Sequence, residues 1–205
     1  MSDVPLHLFD GPNSYIGRTV ARPNAKRLTQ GRGRYVDDIV LPRMLHAAFV
    51  RSPHAHARMV RIDVTAACAR AGVAGVFTGA DISRVCKPYV GVLTHLAGMR
   101  SPPQYPLPLE VARWQGEPVV CVVAESRAQA EDAVDDVVIE WEPLPPAVDM
   151  ERALEPGEPV IHSEFGNNLC WERTVDSGGV DAAMKEAATV VEATFQFGRH
   201  TGVTL

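Results

Sequence analysis

Residues 118–146, PVVCVVAESRAQAEDAVDDVVIEWEPLPP, set the fold class of this chain. The apolar run from Val119 to Ala124 is unbroken, as in a strand covered on both faces, where neither side needs polar residues. Ser126 with Gln129 has the spacing of a capping box at a helix start. Ala130, Ala133, Val134 and Val137 then recur at helical spacing, with Glu131, Asp132, Asp135 and Asp136 on the outward side. Residues 137–141 return as a strand, and Pro143, Pro145 and Pro146 end it. Strand, helix and strand predict a crossover unit. Helical geometry spreads the EDAVDD carboxylates around the exposed side, which makes them a solvated face rather than a cation site.

Upstream, residues 45–50 (LHAAFV) and 57–63 (ARMVRID) read as strands interrupted by Ser52-Pro53. In the second, Met59, Arg61 and Asp63 fall on one face and Arg58, Val60 and Ile62 on the other. A short helix over 64–71 and a strand over 73–78 follow. Residues 83–110 are rich in Pro and Gly and hold no clear element, and ordered loops of that length tend to be functional or interfacial. Residues 1–29 form an irregular arm, 30–150 one α/β domain, and 151–168 a linker within a Pro-, Glu- and Gly-rich stretch that starts at 142. Residues 169–205 open a second unit. It is expected to hold a strand over 169–175, an N-cap at Asp176 or Ser177, a helix over 180–187 burying Val180, Ala183, Met184 and Ala187, and an alternating strand over 189–197. Eight residues remain after Phe197, too few to complete a second core, so this unit is expected to be incomplete and the least stable part of the chain.

The 205 residues are 46% hydrophobic and 22% charged, an ordinary globular balance. A net charge of −5 argues against a nucleic-acid surface, which needs clustered Lys and Arg. No apolar run approaches the roughly 20 residues of a membrane span, and MSDVPLHLFDG has neither the basic start nor the apolar stretch of a signal peptide, so a cytoplasmic location is expected. Cys68, Cys86, Cys121 and Cys170 form no CxxC pair, so no zinc or iron–sulfur site is written here. Cys121 and Cys170 sit in strand-like runs and are expected to be small buried hydrophobes. Gly31-Arg32-Gly33-Arg34 lacks the third glycine and the preceding strand of a dinucleotide fingerprint.

His54 and His56, in RSPHAHAR, have the spacing of half a metal site. In a strand both rings would point to one face, yet no Cys and no second His pair completes four ligands, and His46 and Asp63 are the only donors nearby in sequence. A structural or hydrogen-bonding role is expected for the pair. No catalytic residue and no metal ligand is assigned.

Four stretches, in order, resemble the large, molybdenum-binding subunit of the molybdenum hydroxylases: xanthine dehydrogenase, aldehyde oxidase and aerobic carbon monoxide dehydrogenase. They are GRGRYVDDIVLPRMLHAAFVRSPHAHARMVRID (31–63), AGVAGVFTGADI (71–82), QGEPVVCVVAESRAQAEDAVDDVVIEWEPLPPAVD (115–149) and GGVDAAMKEAATVVEATFQFGRHTGVTL (178–205). The resemblance implies an α+β fold: an α/β hammerhead domain over 30–150, then the first βαβ segment of an incomplete molybdopterin-binding domain over 169–205. It implies an oxidoreductase that hydroxylates a carbon beside a ring nitrogen or in an aldehyde, with water as the oxygen source. It also implies molybdopterin cytosine dinucleotide in the complete subunit, with [2Fe-2S] clusters and FAD in partner subunits. The family's cofactor-binding loops and catalytic Glu have no matching positions here, so the chain is expected to bind no cofactor alone and to scaffold a site carried by later sequence or by a second chain. Its partners would be that molybdenum-binding remainder, an iron–sulfur subunit and an FAD subunit. Other readings are an inactive truncated fragment and a stand-alone assembly module using the 83–110 loop, with Tyr89, His95, Met99 and Tyr105, as its contact surface. In the full subunit the same loop would cover the molybdenum domains.

The histidine reading makes a prediction. Replacing His54 and His56 together with Ala leaves the metal content of any assembled complex unchanged while lowering thermal stability. Metal analysis of the double variant checks this, and parallel loss of zinc or molybdenum would contradict it.

Overall fold

The structure is a computed structural model that describes residues 19–91 and 95–198. In chain order the elements are helix α1 (Ala25–Thr29), a 3-10 turn (Val36–Asp38), strands β1 (His46–Arg51) and β2 (Ala57–Asp63), and helix α2 (Thr65–Ala69). Strand β3 (Val73–Thr78), helix α3 (Gly79–Ser83), and strands β4 (Val111–Ala112) and β5 (Pro118–Ala124) follow. Helix α4 (Arg127–Val134), strand β6 (Val138–Pro143), a second 3-10 turn (Ser163–Phe165) and helix α5 (Val180–Glu186) complete the described chain. The strands make two three-stranded sheets, ordered β1-β5-β3 and β4-β2-β6.

β5 is the central strand of its sheet, and its burial matches the unbroken apolar run: Val119, Val120, Val122 and Ala124 are all 0% exposed. Ser126 caps α4 as its spacing predicts, its Oγ accepting the Gln129 N–H at 3.3 Å. The reciprocal half of the box differs, because the Gln129 side chain meets the Ser126 hydroxyl, 2.8 Å from its Oε1. α4 buries Ala130 and Ala133 and ends at Val134, before Val137. The expected crossover is not a single-sheet unit. β5 and β6, on either side of α4, belong to different sheets. Sequence spacing reports the order of elements and is silent on which neighbours a strand's edges find.

The chain forms two compact units. The first comprises Met1–Val50, Arg61–Phe77 and Val120–Ile139, with Ala67, Val120, Val122, Ala124, Ala130 and Ala133 as its buried apolar residues. In it, Arg70 ties the end of α2 to the C-terminal end of α4, pairing with Asp136 at 3.0 Å and donating to the Asp132 carbonyl. The second comprises Arg51–Val60, Thr78–Val119 and Glu140–Leu205, with Ala57, Met59, Leu107, Ala112 and Val119 buried. Ala57 pairs with Ala112 and Arg58 with Val111 in the antiparallel β2–β4 ladder, which the Met59 N–H extends to the Glu110 carbonyl at 2.8 Å.

Several elements differ from expectation. α3 begins on Thr78-Gly79-Ala80-Asp81: the Asp81 carboxylate accepts both the Thr78 N–H (2.9 Å) and its hydroxyl (2.8 Å), which holds Asp81 below the usual carboxylate range. α1 forms in the arm expected to be irregular, a five-residue helix with no buried residue. Residues 169–175 and 189–197 are not strands. Alternation marks which face would be buried but supplies no ladder, and among the described residues neither segment pairs with a neighbouring backbone. Val191, Phe195 and Phe197 are 86%, 83% and 87% exposed. α5 forms where a helix is expected, yet it buries none of its residues. Cys170 is exposed rather than buried, with its thiol toward the Arg100 carbonyl at 3.2 Å, and Cys121 is half-buried, its pKa raised by burial. No helix among the described residues is long and apolar enough to cross a membrane.

Two backbone positions give opposite predictions. A Cβ at Gly79 would stand 2.1 Å from the Pro108 carbonyl oxygen, and backbone cannot yield as a flexible side chain does. Gly79→Ala is expected to lower stability by about 1–3 kcal/mol. Arg43 has φ +62°, in the left-handed region that costs an L-residue roughly 1 kcal/mol, so Arg43→Gly is expected to raise stability by up to that amount. Thermal unfolding of both variants checks the pair, and an unchanged Gly79→Ala would contradict the packing described.

Candidate functional site

The candidate site lies in the second unit and is built on the turn that links β4 to β5. Gly116 takes φ +87°, which lets the chain reverse between Trp114 and Glu117. The turn is fastened to Ser52 by two backbone bonds: the Gly116 N–H donates to the Ser52 carbonyl, and the Ser52 N–H donates to the Glu117 carbonyl, both at 2.8 Å. Ser52 is 2% exposed. Its hydroxyl donates to the His54 carbonyl (2.9 Å) and accepts the His54 N–H (3.1 Å). The Arg51 guanidinium adds a bond to the Gly116 carbonyl at 2.9 Å.

This turn sets Arg113, Trp114 and Glu117 in the wall of a cavity of about 420 Å³, which Tyr105, His162 and Glu164 also line. Glu117 is 6% exposed. Its Oε2 accepts the Arg113 N–H at 2.6 Å. Burial pushes the Glu117 carboxyl above the usual range, against the opposing pull of the Arg113 and Trp114 N–H groups and the Arg113 charge. His162 is pushed the other way, first by burial and then by the Arg113 guanidinium, with Glu164 opposing. Arg113 Nε and His162 Nδ1 are buried without a hydrogen-bond partner, since Glu164 Oε1 lies 3.6 Å from Nδ1, beyond hydrogen-bond reach. An acid biased toward its protonated form and an imidazole biased toward its neutral form thus share one cavity, a pattern enriched at functional sites.

The 83–110 loop, predicted to be functional or interfacial, is tied down by Arg100. Its guanidinium donates to the carbonyls of Phe165 (2.9 Å) and Leu169 (3.0 Å) and to the Asn167 side chain, with its charge 5.3 Å from the Phe165 ring centre. The Arg100 N–H reaches the Cys170 carbonyl (2.9 Å) and Trp171 Nε1 the Ala97 carbonyl (3.2 Å). Of the loop residues singled out in the sequence, Tyr89 and His95 are exposed while Met99 and Tyr105 are half-buried.

The two histidines of RSPHAHAR do not share a face. Residues 53–56 form a bend before β2, not a strand. The His54 ring meets Trp141 edge-on at 5.5 Å, and His56 Nδ1 donates to the Pro145 carbonyl at 2.8 Å while the Leu144 N–H returns to the His56 carbonyl at 2.9 Å. Asp63 is engaged by the Thr65 N–H (3.0 Å) and Arg61 (2.9 Å), which hold its pKa low. No group of three or more His, Cys, Asp or Glu among the described residues could hold a metal. Arg113, Glu117 and His162 carry no motif. The available signal was a charged residue, Glu117, set directly before the most apolar run of the chain, where a carboxylate must be buried with it.

Comparison with known proteins bears on this scaffold. Residues 30–145 match the a/b hammerhead domain of aldehyde oxidase and xanthine dehydrogenase. The chain is 40% identical over 195 residues to the nicotine 6-hydroxylase large subunit of Paenarthrobacter nicotinovorans, covering 94% of this chain and 24% of that one. Quinoline 2-oxidoreductase from Pseudomonas putida 86 superposes with a TM-score of 0.69 at 43% identity, over 75% of this chain and 19% of that chain. A Cu,Mo-CO dehydrogenase superposes with a TM-score of 0.67 at 34% identity, over 84% of this chain and 23% of that chain. The chain therefore spans about a quarter of the length of the relatives it matches. With more than half of its residues in the hammerhead match, the chain belongs to the aldehyde oxidase and xanthine dehydrogenase family.

Proposed function

We propose that these residues form the N-terminal scaffold of the molybdopterin-binding large subunit of a molybdenum hydroxylase-type oxidoreductase. The observation that carries the reading is the hammerhead match over 30–145, continuous with similarity to large subunits whose length is about four times that spanned here. One of the relatives is a copper- and molybdenum-containing enzyme by name. The donor set of the described residues does not fit such a centre, because no three potential ligands gather and the four cysteines are free. On this reading the reacting centre belongs to sequence outside the described residues or to another chain, and the hammerhead supplies a rigid wall and interface surface. Iron–sulfur and flavin subunits complete the assembly, and the cytoplasm is its location.

Tagging the chain in its native host and identifying what copurifies tests this. The expected result is an assembly containing molybdenum, iron and flavin in whole-number ratios, together with a colourless, metal-free preparation when the 205-residue chain is expressed alone. Recovery of the chain from its host with no oxidoreductase component would overturn the reading, as would stoichiometric molybdenum on the isolated chain.

A further inference from the structure

We propose that the cavity walled by Arg113, Trp114, Glu117 and His162 is a binding site for a small, uncharged, hydroxylated molecule. Two buried nitrogens with no hydrogen-bond partner, Arg113 Nε and His162 Nδ1, belong to residues lining it. They lie close enough that the Arg113 charge acts on the His162 ring. A buried polar atom without a partner is uncommon in a folded protein and calls for a ligand or water. The volume of about 420 Å³ lies within the range of small-molecule sites, roughly 300–1,000 Å³.

The charges around the cavity select the chemistry. An anion would meet the Glu110 and Glu164 carboxylates as well as Arg113. A metal ion finds no group of three ligands among the described residues. An organic cation would sit against the permanent charge of Arg113. A hydroxyl avoids all three conflicts, because it accepts from Arg113 Nε–H and at the same time donates to a carboxylate or to an unprotonated imidazole nitrogen. Trp114, 46% exposed, and the rings of Pro103 and Pro108 offer apolar surface to the C–H faces of such a ligand. Backbone bonds from Arg113 to Glu117 and from Ser52 to the turn hold the wall in place before any ligand arrives. None of these groups belongs to the molybdenum chemistry proposed above, so the two readings stand or fall separately.

The test is a nitrogen-15 NMR titration of the purified chain with glycerol, myo-inositol and D-glucose as probes, and with sodium acetate at matched ionic strength as the anion control. At least one of the three polyols is expected to shift the Arg113 Nε–H and Trp114 Nε1–H signals saturably, in the millimolar range, while acetate does not. Arg113→Met keeps the backbone N–H that Glu117 needs and is expected to weaken binding about tenfold, the scale of one lost hydrogen bond to a charged donor. His162→Gln provides an independent variant should Arg113→Met fail to fold. The proposal is overturned if none of the polyols saturates, which would mean water alone fills the cavity. It is equally overturned if acetate saturates in their place, or if folded variants bind as the parent does.

Discussion

The exchange of backbone hydrogen bonds between Ser52 and the Gly116–Glu117 turn is the constraint on which the second unit is organised. Residues 51–60 run through that unit as a ribbon with contacts on several sides. Ser52 fixes the β4–β5 turn, His54 packs on Trp141, His56 bonds the Pro145 carbonyl, and Met59 extends the β2–β4 ladder to Glu110. Each bond is worth only about 1 kcal/mol net. Together they set the register of the chain entering β5, and a buried backbone group left without its partner there costs about as much again or more. The same turn sets Arg113, Trp114 and Glu117 in the cavity wall, so the site inherits its geometry from the ribbon.

The parts of the fold legible in the sequence are those specified by local pattern. β5 announces itself as an unbroken apolar run because both faces are covered, and α4 by the Ser126 cap and its buried alanines. The membership of the chain was legible as well, through the long signatures around RSPHAHAR and GEPVV. What failed were inferences needing a partner the pattern does not name. The alternation over 189–197 is real, yet the ladder that would make it a strand is absent among the described residues, and Phe195 and Phe197 are left 83% and 87% exposed. β4 is two residues long, and it exists only because β2 pairs with it.

The site was less legible than the fold. The sequence drew attention to the HxH pair, whose spacing suggests ligation, but the bend at residues 53–56 sends the two rings to different neighbours, Trp141 and the Pro145 carbonyl. The cavity residues come from distant places, Arg113 and Glu117 from one turn and His162 from the stretch expected to be a linker. That stretch is organised by Asn168, whose amide donates to the carbonyls of Ala153 (3.0 Å) and Pro159 (2.8 Å) and accepts the Ile161 N–H (3.0 Å). The Arg100 bonds then hold residues 165–171 in the same unit. Beyond Trp171 the described chain is exposed at every position to Gly198.

Hydrogen–deuterium exchange tests this account most directly. If the Ser52 exchange organises the second unit, the amides of Ser52, Gly116 and Met59 belong to the slowest class and open only with global unfolding, whereas amides of residues 187–198 exchange at rates close to those of an unprotected chain. Ser52 and Gly116 amides exchanging as fast as residues 187–198 would contradict the claim that this turn is where the unit is held together.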